Sequence, residues 1–422
     1  MASFDVIIIG AGIAGSSFAL KISKYAKTLL LEAKDEKDLP VTTNIFPEHN
    51  KRFLSEVDYS DRSLFPCIHY KINYMDKKYN GIIDSNEFGE PFGYISHSEN
   101  IIKYMLQKCE EQGGIIKYNE KVSKIIKSSE NIEVITSKGQ SYSGKLLAIA
   151  TGSHSFELQK SLGFNAPDSY IGICTHLYGD DDTLKENMEW NYIFHINRNI
   201  SQNGPLFFNK GRERLFLGFL GNPKEDSADM VNKLERILNN YQPIQPFIRN
   251  LKRDPKTFVG KISKHPIKIL SNDRTLILGE AGGLVTAFFY EGFLGGLASA
   301  DIATSVLKPL LDANSNFTRA ELMKYDQEVY RILVNKYFKT NLASEYLFYL
   351  GGSKIKLLWE TYCKLVKENQ TLRKYIWEAI RRQDLENHDL NRDRWTGEQI
   401  FKMLPLLSKA TYWPHFIATL KK

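Results

Sequence analysis

The chain has few cysteines for its size, no long apolar run and no concentrated charge. Cys67, Cys109, Cys174 and Cys363 lie far apart, with no CxxC pair and no Cys/His ligand spacing. A disulfide scaffold and a structural zinc site are therefore not expected, and a reduced, cytoplasmic setting is. The nine histidines are scattered as well, so no metal site is expected. No stretch approaches the roughly 20 apolar residues that span a bilayer. The opening MASFDVIIIG has no basic segment ahead of its short apolar run, so it does not read as a signal peptide. Internal repeats and low-complexity segments are missing too. Lys plus Arg is 56 against 49 Asp plus Glu, and this +7 excess is spread along the chain instead of forming a basic tail. Nucleic acid is not an expected partner, whereas an anionic surface or ligand stays open.

What is present is a folded chain of 422 residues, 42% hydrophobic and 12% aromatic, a length that predicts two or three domains. Its strongest pattern comes first. Phe4 to Ile9 is a short β-branched run of the kind buried in a parallel sheet; GAGIAG follows at 10–15, then a helical segment, then Thr28 to Leu31 and the acid Glu32. In this GxGxxG, Gly10 permits a tight turn and Gly12 lets the backbone approach a pyrophosphate at the helix N-terminus, where free N–H groups favour an anion. Gly15 permits close helix–strand packing, and Glu32 is placed to accept hydrogen bonds from a ribose. Further on, a helix is expected near 100–114 and strands at 115–119, 132–136 and 145–150. Residues 34–92 show no regular pattern. Between about 168 and 260 the texture changes to period-two alternation: Trp190, Tyr192, Phe194 and Ile196, then Leu215, Leu217 and Phe219, which predicts an antiparallel sheet with one side covered. From about 318 the chain reads mostly helical.

A second glycine motif decides which dinucleotide is expected. After the apolar run TLIL come Gly279, Glu280, Ala281, Gly282 and Gly283, then Glu291, Gly292 and Phe293 opening a small-residue helix. A second helix N-terminus beside the first suits the ribityl and pyrophosphate of a flavin dinucleotide.

In order, DVIIIGAGIAGSSFALKIS, LLLEAK, IATGSHS and TLILGEAGGLVTAFFYEGFLGGLASADIA resemble the motifs of FAD-dependent oxidoreductases of the p-hydroxybenzoate-hydroxylase fold, and most of all the geranylgeranyl reductase family, over roughly residues 1–310. The resemblance implies an α/β architecture: a discontinuous Rossmann-type FAD domain from 1–165 and 260–315, an inserted antiparallel substrate domain at 166–259, and a helical region at 316–422. It implies FAD contacts from Gly10, Ala11, Gly12, Ala14 and Gly15, from Glu32 and Ala33, and from Thr43, Asn44 and Val122. Thr151, Gly152, Gly279, Glu280, Gly292 and Phe293 complete that set, with the Gly292–Phe293 backbone near the pyrimidine side of the flavin. The family's lipid-site motif has an altered counterpart between Asn187 and His195, which keeps the aromatic spacing, exchanges Tyr and Trp, and loses both prolines.

Trp190, Tyr192, Phe194, Phe288, Phe289 and Tyr290 are then expected to build an apolar substrate pocket, and Tyr192, Tyr290 or His195 to supply a proton. Several family positions differ. An Asp becomes Glu280, Cys-Gly becomes Thr43-Asn44, an arginine becomes Ser98 and a proline becomes Ala287. The implied activity is reduction of carbon–carbon double bonds in an isoprenoid or similar apolar substrate. The alternatives are an FAD-dependent monooxygenase and a flavin-binding protein without net turnover; the Trp-x-Trp-x-Ile-Pro motif of flavin halogenases is not evident. Only one Rossmann fingerprint is present, so electrons would come from transiently bound NADPH or from a carrier protein such as ferredoxin. The C-terminal LSKATYWPHFIATLKK suits either a helix capping the substrate domain or peripheral contact with a membrane.

Overall fold

The computed structural model describes residues 3–420 apart from 155, 190, 191, 223, 351 and 383–389. The apolar run Ser3–Ile9 is the centre of a parallel sheet. It pairs in parallel with Thr28–Leu31 on one side and with Ser141–Ile149 on the other. Ile115–Lys117 extends the first edge and Thr275–Ile277 the second, again in parallel. Val6, Ile7, Leu29, Leu30, Leu31, Leu146 and Leu147 have no exposed surface, as for a parallel sheet with both faces covered. The helix Ile13–Ile22 joins the first two strands, and the helix Phe293–Asp312 follows the last. The expected strands at 115–119, 132–136 and 145–150 are found at Ile115–Lys117, Ile132–Thr136 and Ser141–Ile149, and the helix near 100–114 at Ser98–Glu111.

The period-two segments form a second, seven-stranded sheet in the order Lys252–Lys264, Asp168–Tyr178, Arg214–Leu220, Leu206–Lys210, Tyr192–His195, Lys71–Met75 and Asn80–Asp84. All of its neighbours are antiparallel except Tyr192–His195 and Lys71–Met75, which run in parallel. Two of the seven strands therefore come from the stretch that shows no pattern in the sequence, and the sheet is not contained within 166–259. Asn73 and Gly81 interrupt those strands, which hides their alternation.

The two faces of this sheet have different fates. Ile193, Leu206, Phe208, Leu215, Leu217 and Phe219 point one way, under Met230, Leu234 and Ile237 of the helix Ser227–Asn240. Ile72, Tyr74, Tyr192 and Phe194 point the other way and pack against the C-terminal helices Lys339–Phe348 and Ile355–Glu368. The approach is close: a Cβ added to Gly81 would lie 2.7 Å from the Cys363 carbonyl oxygen. The Trp359 indole N–H donates to the Met75 carbonyl at 2.9 Å. The helical region thus covers one end of the sheet on the side that faces the glycine motifs.

A candidate flavin cleft

The glycines of the first motif differ in what surrounds them. Gly10 has φ +102, and a Cβ there would lie 2.5 Å from the Ala150 oxygen; a Cβ on Gly15 would lie 1.9 Å from the Gly10 oxygen. Both are required for packing. Gly12 has nothing within 4 Å of the Cβ position, so open space lies in front of the helix N-terminus, where a pyrophosphate could approach. Glu32 ends the second strand, and its carboxylate accepts from the Ala11 N–H at 2.7 Å and the Lys34 N–H at 2.9 Å. Ala33 beside it is exposed, whereas Val122 is buried at the start of the strand Val122–Lys127.

The second motif packs directly on the first. Gly279 has φ +58, its N–H donates to Ser299 Oγ at 3.0 Å, and a Cβ on it would lie 2.7 Å from the Ala14 Cβ. Ala14 is thus a packing residue between the motifs. A Cβ on Gly152 would lie 4.0 Å from Glu280 Oε2. Glu280 Oε1 accepts from the Ser263 N–H at 2.9 Å. Burial raises the Glu280 carboxyl above its ordinary value, opposed by hydrogen bonds from Ser263 and Ser153.

In the middle of this close-packed region Gly10, Gly12, Glu32, Asn44, Thr151, Gly152, Glu280 and Gly292 all keep partial exposure. They mark a cleft that runs between the two helix N-termini. A dinucleotide bound along it would meet the open approach at Gly12 with its pyrophosphate and Glu32 with its ribose. The redox chemistry would come from the bound FAD.

The flavin-ring end carries a feature the sequence reading did not single out. Glu291 folds over the N-terminus of Phe293–Asp312, where its carboxylate accepts from the N–H groups of Phe293 and, at 3.1 Å, Leu294. The Phe293 N–H belongs to the Gly292–Phe293 backbone expected to face the flavin. Burial pushes Glu291 up to about 7 even though both N–H groups favour the ionised form. Its folded-state value is above its unfolded one, so between about pH 4.5 and 7 the native state binds more protons. Stability of the FAD-free protein should fall across that interval. Glu291→Gln should remove this slope and raise stability at pH 8 by about 1–3 kcal/mol relative to the parent. Urea unfolding of both proteins at pH 4 and pH 8 checks this, with no gain expected at pH 4.

Between the two parts of the second motif, the loop 284–291 is strained. Phe288 has φ +67 and Tyr290 φ +52, left-handed conformations that cost about 1–3 kcal/mol each for such residues. Surrounding bonds hold them there. Tyr290 N–H donates to the Thr286 oxygen at 3.0 Å, Glu291 N–H to Thr286 Oγ1 at 3.0 Å, and the Tyr349 hydroxyl to the Phe288 carbonyl at 2.7 Å. The loop delivers Phe288 and Phe289 onto Phe194, with ring centroids 5.1 and 5.3 Å away. Trp359 and Tyr74 close on Phe194 from the other side at 5.8 Å each.

The expected open aromatic pocket is therefore corrected in part. Tyr192, Phe194 and Phe288 are buried in a filled aromatic core, because C-terminal side chains occupy the space, and only Phe289 and Tyr290 keep partial exposure. Trp190 lies outside the described residues. His195 is corrected as well. Strand alternation turns it to the opposite face, where its ring nitrogens meet the Met75 carbonyl at 2.7 Å and the Tyr241 hydroxyl at 2.8 Å. Tyr192 remains on the correct face, fully enclosed, and burial holds its phenol above the ordinary value.

Tyr290 stands apart. Its hydroxyl donates to Glu345 Oε1 at 2.7 Å, and Glu345 is 4% exposed. Burial, and then the Glu345 charge, hold the Tyr290 phenol well above its usual value, so it is protonated at neutral pH. Glu345 was not among the residues expected from sequence; a lone acid in the apolar run LASEYLFYL was the signal available.

Thr42 and Thr43 are held by another arrangement with no sequence signal. Arg214 reaches across from the second sheet, donating through Nε to Thr43 Oγ1 at 2.8 Å, through Nη2 to the Thr42 oxygen at 3.1 Å and through Nη1 to Glu99 at 2.7 Å.

A family model described as pyridine nucleotide-disulphide oxidoreductase matches residues 4–158. Digeranylgeranylglycerophospholipid reductase 1 of Methanosphaera stadtmanae is 24% identical over 356 residues, covering 79% of this chain and 82% of that one. A geranylgeranyl bacteriochlorophyll reductase-like protein from Thermoplasma acidophilum superposes with TM-score 0.72 at 15% identity, covering 91% of this chain and 98% of that one. The chain is an FAD-dependent oxidoreductase, geranylgeranyl reductase-like in sequence and fold. The fold is shared more widely. p-Nitrophenol 4-monooxygenase from Pseudomonas putida superposes with TM-score 0.71 at 13% identity, covering 92% of this chain and 100% of that one. A halogenase in complex with FAD gives 0.67 at 14%, covering 99% and 96%. In this reductase-like flavoprotein, Gly12, Glu32, Thr151, Gly152 and Glu280 are partly exposed residues of the two glycine motifs and their flanking strand ends.

Proposed function

We propose that the protein saturates carbon–carbon double bonds of a prenyl lipid or a similar apolar substrate. The observation that carries this reading is the Tyr290–Glu345 pair: a protonated phenol on a partly exposed loop, backed by a buried carboxyl group, beside the helix end assigned to the flavin. Saturating an alkene needs a hydride on one carbon and a proton on the other, and reduced FAD supplies the hydride when bound. Tyr290 would supply the proton. Glu345 Oε1, which accepts the phenol hydrogen bond at 2.7 Å, would hold the hydroxyl in place. Transfer to the substrate carbon would leave a phenolate at the partly exposed Tyr290, to be reprotonated from water. The aromatic core under Phe289 keeps water from that carbon. The curated relative named as a digeranylgeranylglycerophospholipid reductase supports a prenylated lipid as the substrate class.

The reductant would be NADPH bound transiently or reduced ferredoxin; the rate of flavin reduction by each, followed by stopped flow, separates the two. Anaerobic incubation with dithionite and a digeranylgeranylglycerol phospholipid should give a product heavier by two hydrogens per bond reduced. Substrate-dependent oxygen uptake with a hydroxylated product would overturn this in favour of a monooxygenase. FAD that is reduced yet never turns over with any prenyl lipid would favour a flavin-binding protein without net chemistry.

A further inference from the structure

The last helix, Leu406–Leu420, is fastened to the body by one face only. Tyr412, His415 and Phe416 are buried: the Tyr412 hydroxyl donates to the Lys354 carbonyl at 3.3 Å, His415 stacks on Tyr346 with centroids 5.1 Å apart, and Phe416 meets Phe401 at 5.3 Å. The opposite face carries Leu406, Leu407, Ala410, Thr411, Trp413 and Pro414, all of them exposed and none charged. Leu407 is 92% exposed, Leu406 82% and Trp413 54%. A soluble helix normally turns its apolar stripe inward and its charges outward. Here both faces are apolar, and single exposed leucines are ordinary whereas a contiguous face is not.

Charge indicates what covers that face. After Glu398 the sequence contains no acid, while Lys402, Lys409, Lys421 and Lys422 are basic. Lys409 and Lys354 flank the helix, with their ammonium groups 5.8 and 5.9 Å from the Phe401 and Tyr412 rings. An apolar face with a tryptophan, bordered by lysines and free of acids, has the chemistry of a helix lying in a bilayer interface. The indole sits at headgroup depth, the leucines reach the acyl boundary and the lysines meet anionic headgroups. A protein partner of ordinary composition would not require the exclusion of acids. Among the described residues no helix is long and apolar enough to cross a membrane, so contact through this helix would be peripheral.

We infer that the Leu406–Leu420 helix docks the protein on an anionic lipid surface through Leu406, Leu407 and Trp413. The inference does not depend on the reaction catalysed, and its test needs no turnover.

The full chain should co-sediment with vesicles of equal parts phosphatidylglycerol and phosphatidylcholine, and less with phosphatidylcholine alone or at high salt. The triple variant Leu406→Ser, Leu407→Ser, Trp413→Ser should lose about tenfold or more in vesicle affinity with unchanged circular dichroism, and Leu406→Ser with Leu407→Ser alone, which keeps the Trp413–Phe401 ring contact at 5.3 Å, should weaken binding with an unchanged thermal midpoint. Lys402→Gln with Lys409→Gln should reduce binding to anionic vesicles by about tenfold and leave the weak binding to neutral ones unaltered. Wild-type protein that stays in the supernatant would overturn the inference, as would a triple variant that binds like the parent. A dimer in solution that the triple variant disperses, without vesicle binding, would overturn it in favour of a second copy of the chain on this face.

Discussion

Gly12→Val should yield a folded protein that no longer retains FAD. The position has φ −70, accessible to valine, and nothing stands within 4 Å of its Cβ site, so the substitution meets no protein atom. The added side chain instead fills the space through which the pyrophosphate must reach the helix N–H groups. Losing two charge-assisted hydrogen bonds, at about 1.5–3 kcal/mol each, corresponds to about a hundred- to ten-thousandfold in affinity. The neighbouring glycine provides the contrast. A Cβ on Gly15 would stand 1.9 Å from a backbone oxygen, so Gly15→Ala should fail at folding, before any ligand is involved. Circular dichroism with fluorescence of released flavin distinguishes the two outcomes. If Gly12→Val binds FAD as the parent does, the cleft has been assigned to the wrong end of the helix.

Tyr290→Phe should keep its FAD and lose alkene reduction. The ring contacts with Tyr170 and Tyr349 survive the substitution, and the hydroxyl that donates to Glu345 does not. Removing a positioned proton donor costs about 10²–10⁴ in turnover. A buried carboxyl left without its partner lowers stability by about 1–3 kcal/mol. Reduction of the flavin by dithionite should be unchanged, because no proton from Tyr290 is needed there. Glu345→Gln should fall between parent and Tyr290→Phe in turnover, since the amide oxygen still accepts from the phenol but without the carboxylate's charge. Turnover in Tyr290→Phe within about threefold of the parent would remove the residue from the chemistry.

The parallel sheet and both glycine motifs were legible because the chemistry there is local. β-Branched runs, turn glycines and a strand-end acid signal their roles within a few residues. The second sheet was legible where alternation is clean, as at Leu215, Leu217 and Phe219. It was hidden where Asn73 and Gly81 break the pattern in strands that a C-terminal helix must approach closely. His195 shows the limit of spacing. Its place in an aromatic run suggested the pocket, yet period two sends it to the other face from Phe194. Glu345, Arg214 and Glu99 were out of reach for a different reason. Each acts through a partner 55 to 172 residues distant, and no local pattern encodes such a meeting.

The most direct test of the account is a single anaerobic turnover. Purified protein should release one FAD per chain. When its flavin is fully reduced, mixed with a geranylgeranylated lipid and kept free of oxygen, the absorbance of oxidised flavin should return as one double bond per FAD is saturated. Flavin that stays reduced with every prenyl lipid offered, and reoxidises only on admission of oxygen with a hydroxylated product, would contradict the account.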